Sequence, residues 1–200
     1  MRSDYMKPEN YNRLFVFMSY ENVLAVRVSL ETGLRIGDVL KVRPSELRGR
    51  TIFFSAEKTG KSGKAVISQD LANRLRQIAG TDYIFEGRGG SGHRSRQAVW
   101  KDVKKAAAQL RAAGAISGEN ITPHSARKTF AVTDAERYGL NHTQKQLQHR
   151  DKATTRAYAF SDRYVQGIQD GITLKSILAL LSGISERLAD LEQKINDFTV

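Results

Sequence analysis

The sequence predicts a mainly α-helical fold with a small antiparallel β-sheet, an α+β class. Apolar residues recur at helical spacing over most of the chain. Strand-like residues are confined to two short neighbouring segments, 51–54 and 64–67. Near the end, apolar residues alternate at intervals of three and four, which predicts a long separate helix.

The helices follow in order along the chain. Pro8 and Glu9 begin the first helical pattern, because proline fits a first turn and glutamate favours the positive end of the helix dipole. The segment 21–32 predicts a buried helix that ends at Gly33, and a shorter helix is expected over 36–41. The remaining predicted helices span residues 68–79, 95–113, 125–138, 143–149 and 153–159.

The two strand-like segments flank the sequence Lys-Thr-Gly-Lys-Ser-Gly at 58–63. β-branched and aromatic residues in 51–54 favour an extended backbone, and glycine in a short connection is typical of a hairpin turn. The sequence therefore predicts a β-hairpin whose tip is rich in lysine.

The chain divides into a body, 1–166, and a tail, 167–200. Gly167 and Gly171 loosen the chain before the tail helix begins. Eight apolar residues then occupy heptad positions a and d: Leu174, Ile177, Leu181, Ile184, Leu188, Leu191, Ile195 and Phe198. This pattern predicts a coiled coil that joins copies of the chain into a homo-oligomer. A helix packed on its own domain would need the same apolar stripe.

The charge of the chain is unevenly distributed. Thirty-two Lys and Arg residues against 21 Asp and Glu residues give a net charge of +11. Residues 1–160 carry 28 of the basic and 15 of the acidic residues, whereas 161–200 carry 4 and 6. A basic body favours a polyanionic partner, with DNA or RNA first.

Composition also excludes several classes of function. Cysteine is absent, so there is no disulfide, no thiol nucleophile and no cysteine-ligated zinc. No carboxylate cluster indicates a metal site, so we expect neither a metal nor a cofactor. The longest apolar stretch, 176–185, is too short to span a bilayer. We expect a cytoplasmic, DNA-associated protein with no membrane partner.

Side chains suited to phosphate chemistry occur in a definite order. Arg35 follows the glycine that ends a predicted helix. His124 and Arg127 lie three residues apart at the start of another helix, so both can reach one anion. His149 ends a predicted helix and Tyr158 lies on the next, where both can face one pocket. Each pattern alone also fits an ordinary capping, core or surface role.

Together these segments resemble the tyrosine recombinase family of the phage-integrase type. ETGLRIGDVLKVRPSEL resembles the first-arginine box, and EKTGKSGKAVIS resembles the lysine hairpin. TPHSARKTFA resembles the second-arginine box, and LQHRDKATTRAYAF the histidine–tyrosine box. The resemblance covers roughly 8–165. Each box alone is a weak signal, but the ordered set of six chemical residues is specific.

The resemblance implies a site-specific DNA recombinase or integrase of a mobile element. Such an enzyme breaks and rejoins double-stranded DNA through a 3′-phosphotyrosyl intermediate, without metal or ATP. Tyr158 is implied as the nucleophile, with Tyr164 as the alternative, and Lys58 as the acid that protonates the departing 5′-oxygen. The residues implied to hold the phosphate oxygens or to assist are Arg35, Arg127, His124 and His149.

Further expectations concern DNA contacts and assembly. The expected DNA-binding residues are Lys61, Lys64, Arg94 and Arg96. Lys61 and Lys64 share the hairpin with Lys58 and compete with it for the role of the acid. The family usually carries an N-terminal helical domain that clamps the DNA, and its pattern is absent here. We therefore expect a minimal enzyme or a catalytic fragment, assembled as a tetramer on DNA.

Three other functions compete with this interpretation. A type IB-like topoisomerase would use the same chemistry without exchanging partners. A catalytically silent DNA-binding regulator could keep the fold, although all six chemical residues are present. An unrelated RNA-binding protein would not explain their order.

Overall fold

The computed structural model describes residues 3–56, 60, 62–89, 92–116 and 120–147. It confirms a mainly helical fold with a small antiparallel sheet. The helices of the described ranges are α1 Asn10–Phe15, α2 Tyr20–Thr32, α3 Ile36–Leu40, α4 Gln69–Ile78, α5 Arg96–Ala112, α6 Pro123–Tyr138 and α7 Leu140–Gln146. Within these ranges no helix is both long and apolar enough to cross a membrane. The helix predicted over 153–159 and the heptad tail lie outside the described residues.

The sheet has three strands in the order β1-β2-β3, with both pairs antiparallel. The strands are β1 Leu47–Arg48, β2 Thr51–Ser55 and β3 Ser62–Val66. Ile52 and Phe54 point into the core, while Phe53 lies on the exposed face opposite Lys64. The hairpin of β2 and β3 was predicted. The short strand β1 was not, because two residues carry no alternation pattern.

Helix α2 packs on α3, α4 and α6. Its side chains Leu24, Ala25 and Val28 have no solvent exposure. Its first turn is fastened to α5, where Asp102 Oδ2 accepts hydrogen bonds from the Ser19 amide at 2.9 Å and from Asn22 Nδ2 at 2.7 Å. This carboxylate satisfies one of the backbone amides that a helix N-terminus leaves without a partner, and it joins α5 to the start of α2.

The segment before α1 is bound to the loop and helix that begin the second half of the fold. Asp4 and Asn120 exchange two hydrogen bonds, one from the Asp4 amide at 3.0 Å and one to Asp4 Oδ2 at 2.7 Å. Thr129 on α6 donates to the Met6 carbonyl at 2.7 Å. These contacts attach the segment before α1 to α6 and to the loop that precedes it.

The corner between α6 and α7 differs from the predicted helix over 143–149. Helix α7 begins at Leu140 and ends at Gln146, because Gly139, with φ of 82°, turns the chain directly after α6. Asp134 on α6 accepts hydrogen bonds from Thr143 Oγ1 at 2.6 Å and from His142 Nδ1 at 3.0 Å. The buried Asp134 carboxylate thus sets where α7 lies on α6.

Candidate active site

A cleft of about 410 Å³ opens where the end of α2, helix α3 and the first turns of α5 and α6 meet. Four basic side chains and one carboxylate from these elements line it: Arg35, Arg96, His124, Arg127 and Asp38. These residues span more than ninety positions of sequence, so the tertiary fold brings them together. The cleft is strongly cationic and suits an anionic ligand.

The corner between α2 and α3 forms one wall of the cleft. Gly33 ends α2 in the left-handed conformation, with φ of 70°. A Cβ atom at this position would lie 2.6 Å from Leu147 Cδ2 and closer still to the Phe130 ring. Glycine is therefore required both for the backbone conformation and for the close packing. The turn places Arg35 directly before α3, in extended conformation.

Arg127 connects three elements at the floor of the cleft. Its side chain is buried, with 4% exposure, and donates hydrogen bonds to the carbonyls of Gly33 and Leu147, the second at 2.9 Å. Both carbonyls end helices, α2 and α7, and so lack partners within their own helix. Arg127 therefore joins α6 to the α2–α3 corner and to the end of α7.

The first turn of α6 positions His124. The Thr122 hydroxyl accepts a hydrogen bond from the His124 amide at 3.2 Å, and the Ser125 hydroxyl accepts one from the Thr122 amide at 3.1 Å. Pro123 occupies the first helical position, where proline needs no amide. This start of α6, predicted at residue 125, brings His124 and Arg127 to the same cleft, as their spacing indicated.

The environment of His124 keeps its ring neutral. Burial, reinforced by the positive charges of Arg127, Lys128 and Arg35, lowers the pKa of His124 to about 4. At neutral pH its imidazole therefore carries one N–H donor and one acceptor nitrogen. His124 can offer a hydrogen bond to an anion in the cleft without adding another full charge.

Asp38 is a residue of the cleft that sequence reasoning did not select. Its carboxylate is 5% exposed and lies 4.0 Å from the Arg35 guanidinium, whose side chain is 28% exposed. An acid three residues after an arginine in a helix start was a usable signal, because such residues share a face. Asp38 restrains the orientation of Arg35 at the cleft wall.

The two arginines expected to bind DNA near the start of α5 have different environments. Arg94 donates to Glu21 at 3.1 Å, and its side chain is only 17% exposed. Arg96 lines the cleft, and its Cδ would lie 3.0 Å from a Cβ atom placed on Gly37 of α3. The structure thus brings Arg96 to Arg35, His124 and Arg127.

One further residue selected from the sequence, Lys64, does not line the cleft. Lys64 is exposed on β3, on the outer face of the sheet. Outside the described residues are Lys58, Lys61, His149, Tyr158 and Tyr164. In the described ranges, no group of three or more His, Cys, Asp or Glu side chains is arranged to hold a metal ion.

The described residues thus form a helical domain with a small sheet and a cleft of arginines and a histidine. The family model described as the phage integrase family matches residues 4–163. The chain therefore belongs to the phage integrase family, which confirms the resemblance found in its sequence boxes.

Solved structures share this fold. The XerH site-specific recombinase bound to palindromic difH substrate has a TM-score of 0.63 at 19% identity, and the match covers 84% of this chain and 53% of that one. A lambda integrase dimer bound to a COC′ core site has a TM-score of 0.67 at 18% identity, covering 82% and 49%. This chain thus spans about half the length of both.

The catalytic domain of bacteriophage HP1 integrase has a TM-score of 0.59 at 19% identity, and the match covers 87% of this chain and 98% of that domain. At these identities the likeness establishes the fold. No curated protein matches the sequence.

Proposed function

We propose that this chain is a site-specific DNA recombinase that cuts and rejoins strands through a 3′-phosphotyrosyl intermediate. The observation that carries the proposal is the convergence of Arg35, His124 and Arg127 in one cleft. Arg35 precedes α3 and the other two lie on α6, and they occur in the order that the family's boxes require. The XerH and lambda integrase structures contain bound DNA substrates, which supports duplex DNA as the partner.

In the proposed reaction, the Tyr158 oxygen attacks the scissile phosphorus and the bond to the 5′-oxygen breaks. The phenol loses its proton to a base of the site, and Lys58 donates a proton to the departing 5′-oxygen. The phosphotyrosyl ester conserves the energy of the broken bond. Attack by a 5′-hydroxyl on the phosphorus then breaks the bond to Tyr158, whose oxygen regains its proton from the site as the hydroxyl loses one, and the strand is rejoined without ATP.

The described side chains suit the transition state of that step. Phosphoryl transfer spreads negative charge over the non-bridging oxygens, which preorganised cations stabilise. Arg127 is already fixed by two carbonyls, so little reorganisation is needed when the phosphate enters. Arg35 is more exposed and can form bidentate contacts. Neutral His124 donates one further hydrogen bond.

Covalent trapping in EDTA tests this function. The full chain is incubated with a library of DNA duplexes, quenched in detergent, and DNA that co-purifies with protein is sequenced. We expect an adduct that Tyr158→Phe abolishes and Tyr164→Phe preserves. An adduct lost only in Tyr164→Phe would show that Tyr158 is the wrong tyrosine, and DNA binding without any adduct would favour the silent regulator. Exchange between two cut duplexes separates a recombinase from a topoisomerase.

We also propose that residues 1–166 form the catalytic domain and 167–200 an oligomerisation helix. Heptad positions a and d in 174–191 support this assignment. Replacing Leu181 and Leu188 by glutamate should reduce the mass measured by light scattering. The matched control, Ser182→Glu, adds charge beside the apolar seam and should leave the mass unchanged. Equal masses for all three proteins would contradict the proposed oligomer.

A further inference from the structure

We propose that Arg96 binds a DNA backbone phosphate inside the active-site cleft, next to the phosphate held by Arg35 and Arg127. This inference rests on the proposed function and adds a fourth basic group to its site. It also separates Arg96 from Arg94, although the sequence groups the two together as DNA contacts. Arg96 becomes a substrate-positioning residue of the cleft.

The first support is the packing of the Arg96 stem on α3. A Cβ atom placed on Gly37 would lie 3.0 Å from the Arg96 Cδ and 3.9 Å from both its Cγ and its Nε. A Cβ at position 37 would push the Arg96 stem away by a few tenths of an ångström, whereas glycine lets its methylenes lie directly against the helix. The missing side chain of Gly37 therefore allows Arg96 to follow the cleft wall.

The second support is the state of the guanidinium. Arg96 makes no hydrogen bond or ion pair with any residue that the structure describes. Arg94, two positions earlier, is instead paired with Glu21 at 3.1 Å. The carboxylate that lines the cleft, Asp38, lies beside Arg35. A guanidinium placed among like charges without an acid of its own gains most from an anionic ligand.

The third support is that the start of α5 is held firmly. The Ser95 hydroxyl caps the helix by accepting from the Ala98 amide at 3.1 Å. Asp102, farther along α5, binds Ser19 and Asn22 at the start of α2. Arg96 therefore extends from an anchored backbone, so an anion bound there loses little affinity to ordering of the protein.

A salt series of DNA binding tests the inference. Anisotropy of a labelled duplex of mixed sequence is measured with the full chain, with Arg96→Ala and with Arg13→Ala. Arg13 is an exposed arginine of α1 and controls for net charge. We expect Arg96→Ala to weaken binding about tenfold at low salt and to reduce the slope of log affinity against log salt by about one. Arg96→Lys should keep the slope.

The possible outcomes separate a failure of the Arg96 proposal from a failure of the proposed recombinase function. If Arg96→Ala binds DNA like Arg13→Ala while the wild type binds strongly, the inference is wrong and the proposed function stands. If the wild type shows no salt-dependent binding, both fail.

A double-mutant cycle tests the packing step. Gly37→Ala should weaken DNA binding slightly when Arg96 is present, because its Cβ shifts the Arg96 stem by a few tenths of an ångström. It should have no effect in the Arg96→Ala background. An equal loss in both backgrounds would contradict the role of Gly37.

Discussion

Arg127 and Arg96 line the same cleft but are held in opposite ways. Arg127 is buried and donates hydrogen bonds to two helix-ending carbonyls. Arg96 is exposed, lies against a glycine and has no bonded partner among the described residues. Arg127 therefore stabilises the fold as well as serving the proposed reaction, whereas the Arg96 guanidinium is available for a ligand.

The same contrast extends to the two walls of the cleft. The wall of α2, α6 and α7 is locked by Gly33, Arg127 and Asp134. The wall at the start of α5 is anchored by the Ser95 cap, by Asp102 and by the buried face of α5, and Arg96 itself takes no part in that anchoring. Substitutions in the first wall should therefore reduce stability and activity together. Substitutions in the second should change DNA binding alone.

Arg127→Ala should have the greatest consequence. The substitution leaves two carbonyls without their donor and opens a cavity beside α7, so the free energy of unfolding should fall by about 3 kcal/mol. Urea unfolding measures this change, and the covalent adduct should disappear as well. Arg96→Ala, the matched comparison, should change stability by less than about 0.5 kcal/mol. Similar losses of stability in both variants would contradict the claim that Arg127 supports the fold and Arg96 does not.

A smaller loss is expected for Gly33→Ala. The new methyl group would overlap the Phe130 ring and Leu147 and would strain a left-handed backbone, at a cost of about 2 to 3 kcal/mol in urea unfolding. Gly49→Ala is the control, since Gly49 has φ of 57° but no atom within 4 Å of its Cβ position. It should cost only about 1 kcal/mol, from backbone strain alone. Equal costs at both positions would show that the packing of Gly33 is unimportant.

The stability of the folded chain should also depend on pH through His124. Because the pKa of His124 is about 4 in the folded chain and near 6.5 in the unfolded one, the unfolded state binds more protons between these values. Stability should therefore fall as the pH drops from about 6.5 to 4 and lose about 2 to 3 kcal/mol from this residue.

Urea unfolding across this pH range checks the expectation. His124→Gln should flatten that part of the profile, and NMR titration should show a ring that stays neutral down to about pH 5. An ordinary histidine titration near 6.5 would contradict the proposed environment.

The sequence could predict the part of the site that local spacing encodes. The glycine that ends α2 indicates Arg35, and the three-residue interval between His124 and Arg127 indicates a shared face. The ordered boxes around them are enough to identify the family, because each box carries its chemistry within a few residues.

Other features depend on contacts distant in sequence and could not be predicted in this way. Arg94 and Arg96 look alike in the sequence, yet Glu21, 73 residues before Arg94, pairs with only one of them. The position of α7 on α6 depends on Asp134, whose carboxylate binds His142 and Thr143 across the turn at Gly139. Such pairings arise when helices pack, and no spacing rule within one segment reveals them.

The residue that carries DNA after trapping decides whether the proposed chemistry is right. Trypsin cleaves after Arg156 and Arg163, so Tyr158 and Tyr164 fall in different peptides, 157–163 and 164–175. The trapped adduct is digested with nuclease and trypsin, and mass spectrometry locates the remaining nucleotide. We expect a nucleotide joined through its 3′-phosphate to peptide 157–163 in the presence of EDTA. A nucleotide on 164–175, or one joined through its 5′-phosphate, would contradict the proposed mechanism.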